Sequence, residues 1–155
     1  MKTKVLMVCL GNICRSPLAE GILASKVDSD LVFVDSAGTA GYHIGNPPDP
    51  RSIAVARKYG VEISQQRCRK FSVADFEDFD FIYAMDQSNY NNIVALAKNK
   101  SDRNKVQLLM KMANNGLSEV PDPYYGGEDG FEHVFDMIES ACSQIAQNLD
   151  QHGRG

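Results

Sequence analysis

The sequence has no apolar run approaching the ~20 residues of a membrane-spanning helix, no excess of basic charge, and little cysteine. Its net charge of -4 argues against a broad electrostatic surface for nucleic acid or an anionic membrane, so neither is expected as a partner. Met1-Lys2-Thr3-Lys4 passes straight into a strand-like run and not into a signal peptide. A cytoplasmic location is therefore expected, where thiols stay reduced and the four cysteines, Cys9, Cys14, Cys68 and Cys142, are not disulfide staples. No linker, repeat or disordered-type segment interrupts the 155 residues, apart from the terminal QHGRG. The expectation is one domain over residues 1–150 and a flexible tail over 151–155.

What is present is an alternation. Short, continuous apolar runs, the mark of strands covered on both faces, occur at Val5–Val8, Leu31–Val34, Phe79–Met85 and Val106–Met110. Helix-like segments lie between and after them: Leu18–Lys26, Ser52–Tyr59, Ser88–Lys98 and Phe131–Leu149. In the last, Val134, Ile138, Ala141, Cys142, Ile145 and Leu149 form one apolar stripe. The pattern predicts an α/β fold: a single-domain, doubly wound sheet of four parallel strands with helices on both faces. Ligands of such sheets bind at the carboxyl ends of the strands. The segment at the end of the first strand, Val8-Cys9-Leu10-Gly11-Asn12-Ile13-Cys14-Arg15-Ser16-Pro17, occupies such an end.

Pro17 suits a first helical position and Ser16 a cap, which predicts a helix starting at Ser16 or Pro17. Leu10 to Arg15 must then wrap over that N-terminus, where free N–H groups and the helix dipole favour an anion. Gly11 and Asn12 tolerate the positive φ such a wrap needs. The lysine and second glycine of a nucleotide loop are missing. In their place stand Cys9 and, six residues on, Arg15: a guanidinium fork for two phosphate oxygens and a sulfur to face the phosphorus. A thiol in such surroundings is more easily ionised. A Cys and an Arg at this spacing carry little weight alone, but no other cysteine of the chain combines that spacing with a strand before, a helix after, and Gly and Ser alongside.

These residues resemble the phosphate loop of the low molecular weight protein tyrosine phosphatases. Asp35-Ser36-Ala37-Gly38-Thr39 is similar to their second strand and its exit, Pro48-Asp49-Pro50-Arg51 to their next helix start, and Asp122-Pro123-Tyr124-Tyr125 to their acid loop. The resemblance implies Cys9 as nucleophile, Arg15 as phosphate ligand and Asp122 as general acid. Leu10, Gly11, Asn12, Ile13, Cys14 and Ser16 then complete and support the loop, Ser16 donating to the thiolate. An acid is also required by the chemistry, because a phenolate with parent pKa about 10 leaves poorly unless protonated. A tyrosine-phosphorylated protein is the implied substrate, with no cofactor and no metal, and with a monomer or weak self-association.

The resemblance further implies an aromatic rim of Tyr42, Tyr124 and Tyr125, selecting a flat phenyl ring, with Tyr42 where many members carry tryptophan. Where many relatives brace the loop asparagine with a histidine, this chain offers Gln66. Cys14 lies in the same tight loop as Cys9 and is the expected redox partner. Two rivals share the loop. Thiol-dependent arsenate reductases need two further, closely spaced cysteines, which this chain lacks. Protein arginine phosphatases tend to carry threonine where this chain has Ile13.

Overall fold

The computed structural model describes residues 2–123 and 128–153. The first strand, β1 (Thr3–Cys9), is central: it pairs in parallel with β2 (Val32–Gly38) on one side and β3 (Phe81–Ala84) on the other. The short β4 (Val106–Leu108) closes the sheet beyond β3, giving the order β2-β1-β3-β4. The expected four-stranded parallel sheet is borne out. Successive side chains of a strand point to opposite faces, so β1 feeds two cores at once. Val5, Met7 and Cys9 face the core shared with helices α1 (Arg15–Lys26) and α6 (Glu128–Gly153). Leu6 and Val8 face a second core with Phe71, Phe76, Phe79 and Ile93. That duplication is why β1 reads as an unbroken apolar run.

Helix α2 (Pro50–Lys58) starts where Pro48-Asp49-Pro50-Arg51 suggested, two residues before Ser52. Asp49 Oδ1 caps it, accepting from the Arg51 N–H at 2.8 Å. The expected helix Ser88–Lys98 is shorter, α4 (Gln87–Val94), and a separate short helix, α5 (Lys100–Asn104) capped by Asn99, follows beyond it. Phe79 and Asp80 fall outside β3, and a single turn, α3 (Asp75–Asp78), precedes them. The run Val106–Met110 is a strand only to Leu108; a 3₁₀ turn, Leu109–Ala113, follows and buries Leu109 and Met110. Helix α6 is longer than its apolar stripe and continues through 151–153, where the sequence suggested a tail. No helix among the described residues is long and apolar enough to cross a membrane.

Helix α1 starts at Arg15, ahead of the expected Ser16 or Pro17, and no side chain caps it. Where it crosses β2, the Ser36 hydroxyl donates to Glu20 Oε1 at 2.7 Å. Burial, reinforced by the Asp35 charge, lifts the Glu20 carboxyl to about 7, outweighing the Ser36 hydrogen bond and Arg69. Because the folded value lies above the ordinary 4.5, the folded state binds the proton more tightly and loses stability as pH rises from about 4.5 to about 7. Glu20→Gln keeps an acceptor for Ser36 without the charge. Thermal melts should match wild type near pH 4 and show the variant more stable above pH 7, by on the order of 2 kcal/mol or ~5 °C. A difference that does not change with pH would contradict this account.

Candidate active site

Strand β1 ends at Cys9 and the chain wraps at once over the N-terminus of α1. Outward-turned carbonyls hold the wrap: Cys9 O accepts from Thr39 N, Leu10 O from Ala40 N and Ile13 O from Asp49 N, at 2.8–2.9 Å. β2 must run very close beneath, for a Cβ on Gly38 would lie 2.8 Å from Leu10 O and 3.1 Å from Asn12 N. With the carbonyls outside, the N–H groups turn in. Those of Gly11, Ile13 and Cys14 have no protein acceptor among the described residues, while that of Asn12 donates to Cys9 Sγ at 3.2 Å. The result is a ring of donors around a sulfur, backed by a helix N-terminus, which is an anion cradle.

Asn12 adopts the left-handed conformation, φ 59°, and is 2% exposed. Its Nδ2 donates to Ser16 Oγ at 2.8 Å and to Ser36 Oγ at 3.0 Å, its Oδ1 accepts from Arg69 N at 3.0 Å, and its carbonyl accepts from the Cys68 thiol at 2.7 Å. Ser16 is therefore not a cap. Its oxygen accepts from Asn12 Nδ2 and lies 3.0 Å from Cys9 Sγ, within hydrogen-bonding reach of the sulfur. Gln66 does not brace the asparagine either; its amide donates to Pro17 O at 3.1 Å. The brace has passed to Ser36 and to the Cys68-Arg69 segment.

Arg15 is 3% exposed and its charge is balanced within the fold. Nη1 donates to Asp86 Oδ2 at 2.6 Å and to Val120 O at 2.9 Å, and Nη2 lies 4.0 Å from Asp122 Oδ2. Burial works against this cation, but the Cys9 sulfur, Asp86 and Asp122 outweigh it and hold the guanidinium above its usual value. Asp86 does double duty at the end of β3: its other oxygen caps α4, accepting from Asn89 N at 2.8 Å. Val120, tied to Met85 O through its N–H at 2.8 Å, sets the start of the segment carrying Asp122.

The cradle is the floor of a cleft of about 340 Å³ lined by Cys9, Cys14, Arg15 and the side of Gly11, with Leu10, Ile13, Tyr42, His43 and Asp122 in its walls. Tyr42, 76% exposed, stands at the mouth with its ring edge-on to His43, centroids 6.4 Å apart. Tyr124 and Tyr125 lie outside the described residues. Burial, together with the charges of Asp49 and Cys9, pushes the Cys14 thiol up to about 12, which keeps it protonated. The fold thus assembles Cys9, Leu10, Gly11, Asn12, Ile13, Cys14, Arg15, Ser16, Tyr42 and Asp122 at one place.

Sequence reasoning missed three groups in the site. His43 packs its ring over Gly11. Asp86 was signalled by its position, an acid between an apolar strand and a helix at a carboxyl end of the sheet. Arg69 gave no signal, since its contact with Asn12 is made by backbone.

Comparison with known proteins agrees with this geometry. The family model described as low molecular weight phosphotyrosine protein phosphatase matches residues 4–154. A low molecular weight phosphotyrosine protein phosphatase of Schizosaccharomyces pombe is 46% identical over 152 residues, covering 94% of this chain and 96% of that protein. The crystal structure of a protein tyrosine phosphatase from Entamoeba histolytica superposes with a TM-score of 0.92 at 36% identity, covering 98% of this chain and 99% of the other. A Drosophila arginine phosphatase superposes with a TM-score of 0.86 at 35% identity, covering 96% and 97%. Matched along nearly its whole length, the chain belongs to the low molecular weight phosphotyrosine protein phosphatase family and is an enzyme of the protein-tyrosine-phosphatase class.

Proposed function

We propose that the enzyme hydrolyses phosphotyrosine in proteins, and small aryl phosphates, by two in-line displacements through a cysteinyl-phosphate. Cys9 Sγ attacks phosphorus as the P–O bond breaks, and the Asp122 carboxyl gives its proton to the departing tyrosine oxygen. Water then attacks the S–P bond, passing its proton to the Asp122 carboxylate, and the thiolate leaves into the Ser16 hydrogen bond. The observation that carries this reading is Cys9 Sγ at the centre of the loop's donors, 3.2 Å from Asn12 N and 3.0 Å from Ser16 Oγ, with Asp122 facing Arg15 at the mouth. Arg15 Nη1 is spent on Asp86 and Val120, so Nη2 and Nε form the fork for the equatorial oxygens. Most of the acceleration is then positional and electrostatic.

Tyr42 supports selection of an aryl group over a short phosphoserine, which would not reach a thiolate at the cleft floor. The name of the Drosophila relative raises phosphoarginine as a second reading. Against it, Ile13 offers that leaving group no polar contact. Arsenate reduction finds no support: Cys68 and Cys142 are buried, the latter fully and directed at Ala19 O, so neither can relay a disulfide outward. The four thiols are unpaired, in keeping with a reducing, cytoplasmic setting.

Cys14 serves as the redox partner. Peroxide converts the Cys9 thiolate to a sulfenic acid with release of hydroxide; the Cys14 thiol displaces water from it to form a disulfide, and an external dithiol reduces that bond.

Two measurements check these assignments. Asp122→Ala should lose roughly a hundred- to ten-thousand-fold in turnover of a phosphotyrosine peptide, with wild type preferring that peptide to a phosphoarginine one; preference for phosphoarginine would refute the substrate assignment. Cys14→Ser should keep near-normal basal turnover but recover poorly with dithiol after peroxide treatment. Equal recovery in both proteins would remove Cys14 from the redox chemistry.

A further inference from the structure

Behind the phosphate loop, on the side away from the cleft, three carboxylates gather around one cation. Arg69 donates from Nε to Asp35 Oδ2 and from Nη1 and Nη2 to the two oxygens of Asp75, all at 3.1 Å, and its guanidinium lies 6.0 Å from the Phe79 ring centre. Asp75 is 4% exposed, and a carboxylate so buried needs a partner of opposite charge; it also accepts from Ser72 N at 2.9 Å. Glu20 is the third carboxylate, and the charges of Asp35 and Arg69 act on it in opposite senses.

The main chain of the same arginine is what reaches the site. Its carbonyl accepts from Gly38 N at 2.9 Å and its N–H donates to Asn12 Oδ1 at 3.0 Å, while the preceding Cys68 thiol holds the Asn12 carbonyl. Residues 66–69 form no helix or strand, and only Lys70 makes a single bridge to Gly38. The segment is held by separate backbone bonds, from Cys68 N to Asn46 O, Gly45 N to Cys68 O and Phe71 N to Gly38 O at 2.7–2.9 Å, and not by a continuous ladder; the bidentate ion pair of Arg69 adds the side-chain anchor.

We propose that Arg69 is a positioning residue for the phosphatase reaction: its ion pairs with Asp35 and Asp75 fix the 68–70 segment, which holds Asn12 in the left-handed turn that aims the loop N–H groups and the Ser16 hydroxyl at Cys9. This rests on reading Cys9 and its loop as the reacting site. Loss of the anchor lets the Arg69 N–H drift from Asn12 Oδ1, and the donor ring relaxes. An ångström-scale shift of such donors weakens both oxyanion binding and stabilisation of the sulfur.

The test compares Arg69→Met, which keeps the stem, Arg69→Lys, which keeps the charge without the fork, and Arg57→Met, which removes an exposed arginine paired with Glu62. Three quantities are read on each protein: turnover of p-nitrophenyl phosphate, the pH profile of Cys9 alkylation by iodoacetate followed by peptide mapping, and protection of Cys9 by inorganic phosphate. Arg69→Met should lose about 10- to 100-fold in turnover, shift the alkylation profile to higher pH and need more phosphate for protection. Arg69→Lys should recover part of each, and Arg57→Met should match wild type. Unchanged alkylation and phosphate protection in a folded Arg69→Met would overturn the proposal, even if its melting temperature falls. Should Arg69→Met not fold, Asp35→Asn decides: a loss of about 3-fold in phosphate protection supports the role, and wild-type protection overturns it. A wild type inert towards phosphate monoesters would refute the phosphatase reading, while the alkylation and protection arms would still show whether Arg69 positions the loop.

Discussion

One residue in a sparsely populated conformation organises the carboxyl end of this sheet. Asn12 sits at positive φ inside the protein, a backbone conformation that costs a non-glycine residue of order 1–3 kcal/mol and persists only where its surroundings over-determine it. They do, and each polar group of the residue is engaged: N–H to Cys9, Nδ2 to Ser16 and Ser36, Oδ1 from Arg69, carbonyl from Cys68. Through these bonds the loop, the second strand and the 68–70 segment share a single geometry. The strain is held in place by polar groups that would be costly to bury unpaired.

The second constraint is charge. A buried guanidinium must be compensated, and Asp86 and the Val120 carbonyl do this with one nitrogen, leaving the rest of the fork toward the cleft. The partner is also the N-cap of α4, so the position of Arg15 is coupled to the third strand and the helix after it. Arg69 repeats the arrangement on the opposite side of the loop with Asp35 and Asp75. Two arginines, each locked by acids from neighbouring segments, flank the donor ring.

The identity of the loop and its place in the fold were legible because they rest on local rules. An apolar run covered on both faces, a glycine and an asparagine suited to a wrap, and a helix following directly leave little freedom for Cys9 and Arg15. The details that escaped are ones where tertiary contacts override a local preference. Ser16 is a good capping residue in isolation, yet its hydroxyl is claimed by Cys9 and Asn12, and α1 begins a residue early without a cap. Gln66 stands where a histidine brace was expected, but its amide turns to Pro17 O, and the bracing bonds come from Ser36 and from a backbone N–H.

What the sequence by itself determined is the α/β alternation, the strand-loop-helix unit and the chemical types gathered in it, since periodicity and residue chemistry are properties of neighbours along the chain. Only the tertiary structure decided that Asp86 would take one nitrogen of Arg15, that His43 would cover Gly11, and that Arg69 would reach Asn12 through its main chain. These contacts join residues distant in sequence, and the last runs through a backbone group that every residue carries alike, so no pattern of neighbours along the chain fixes the pairings.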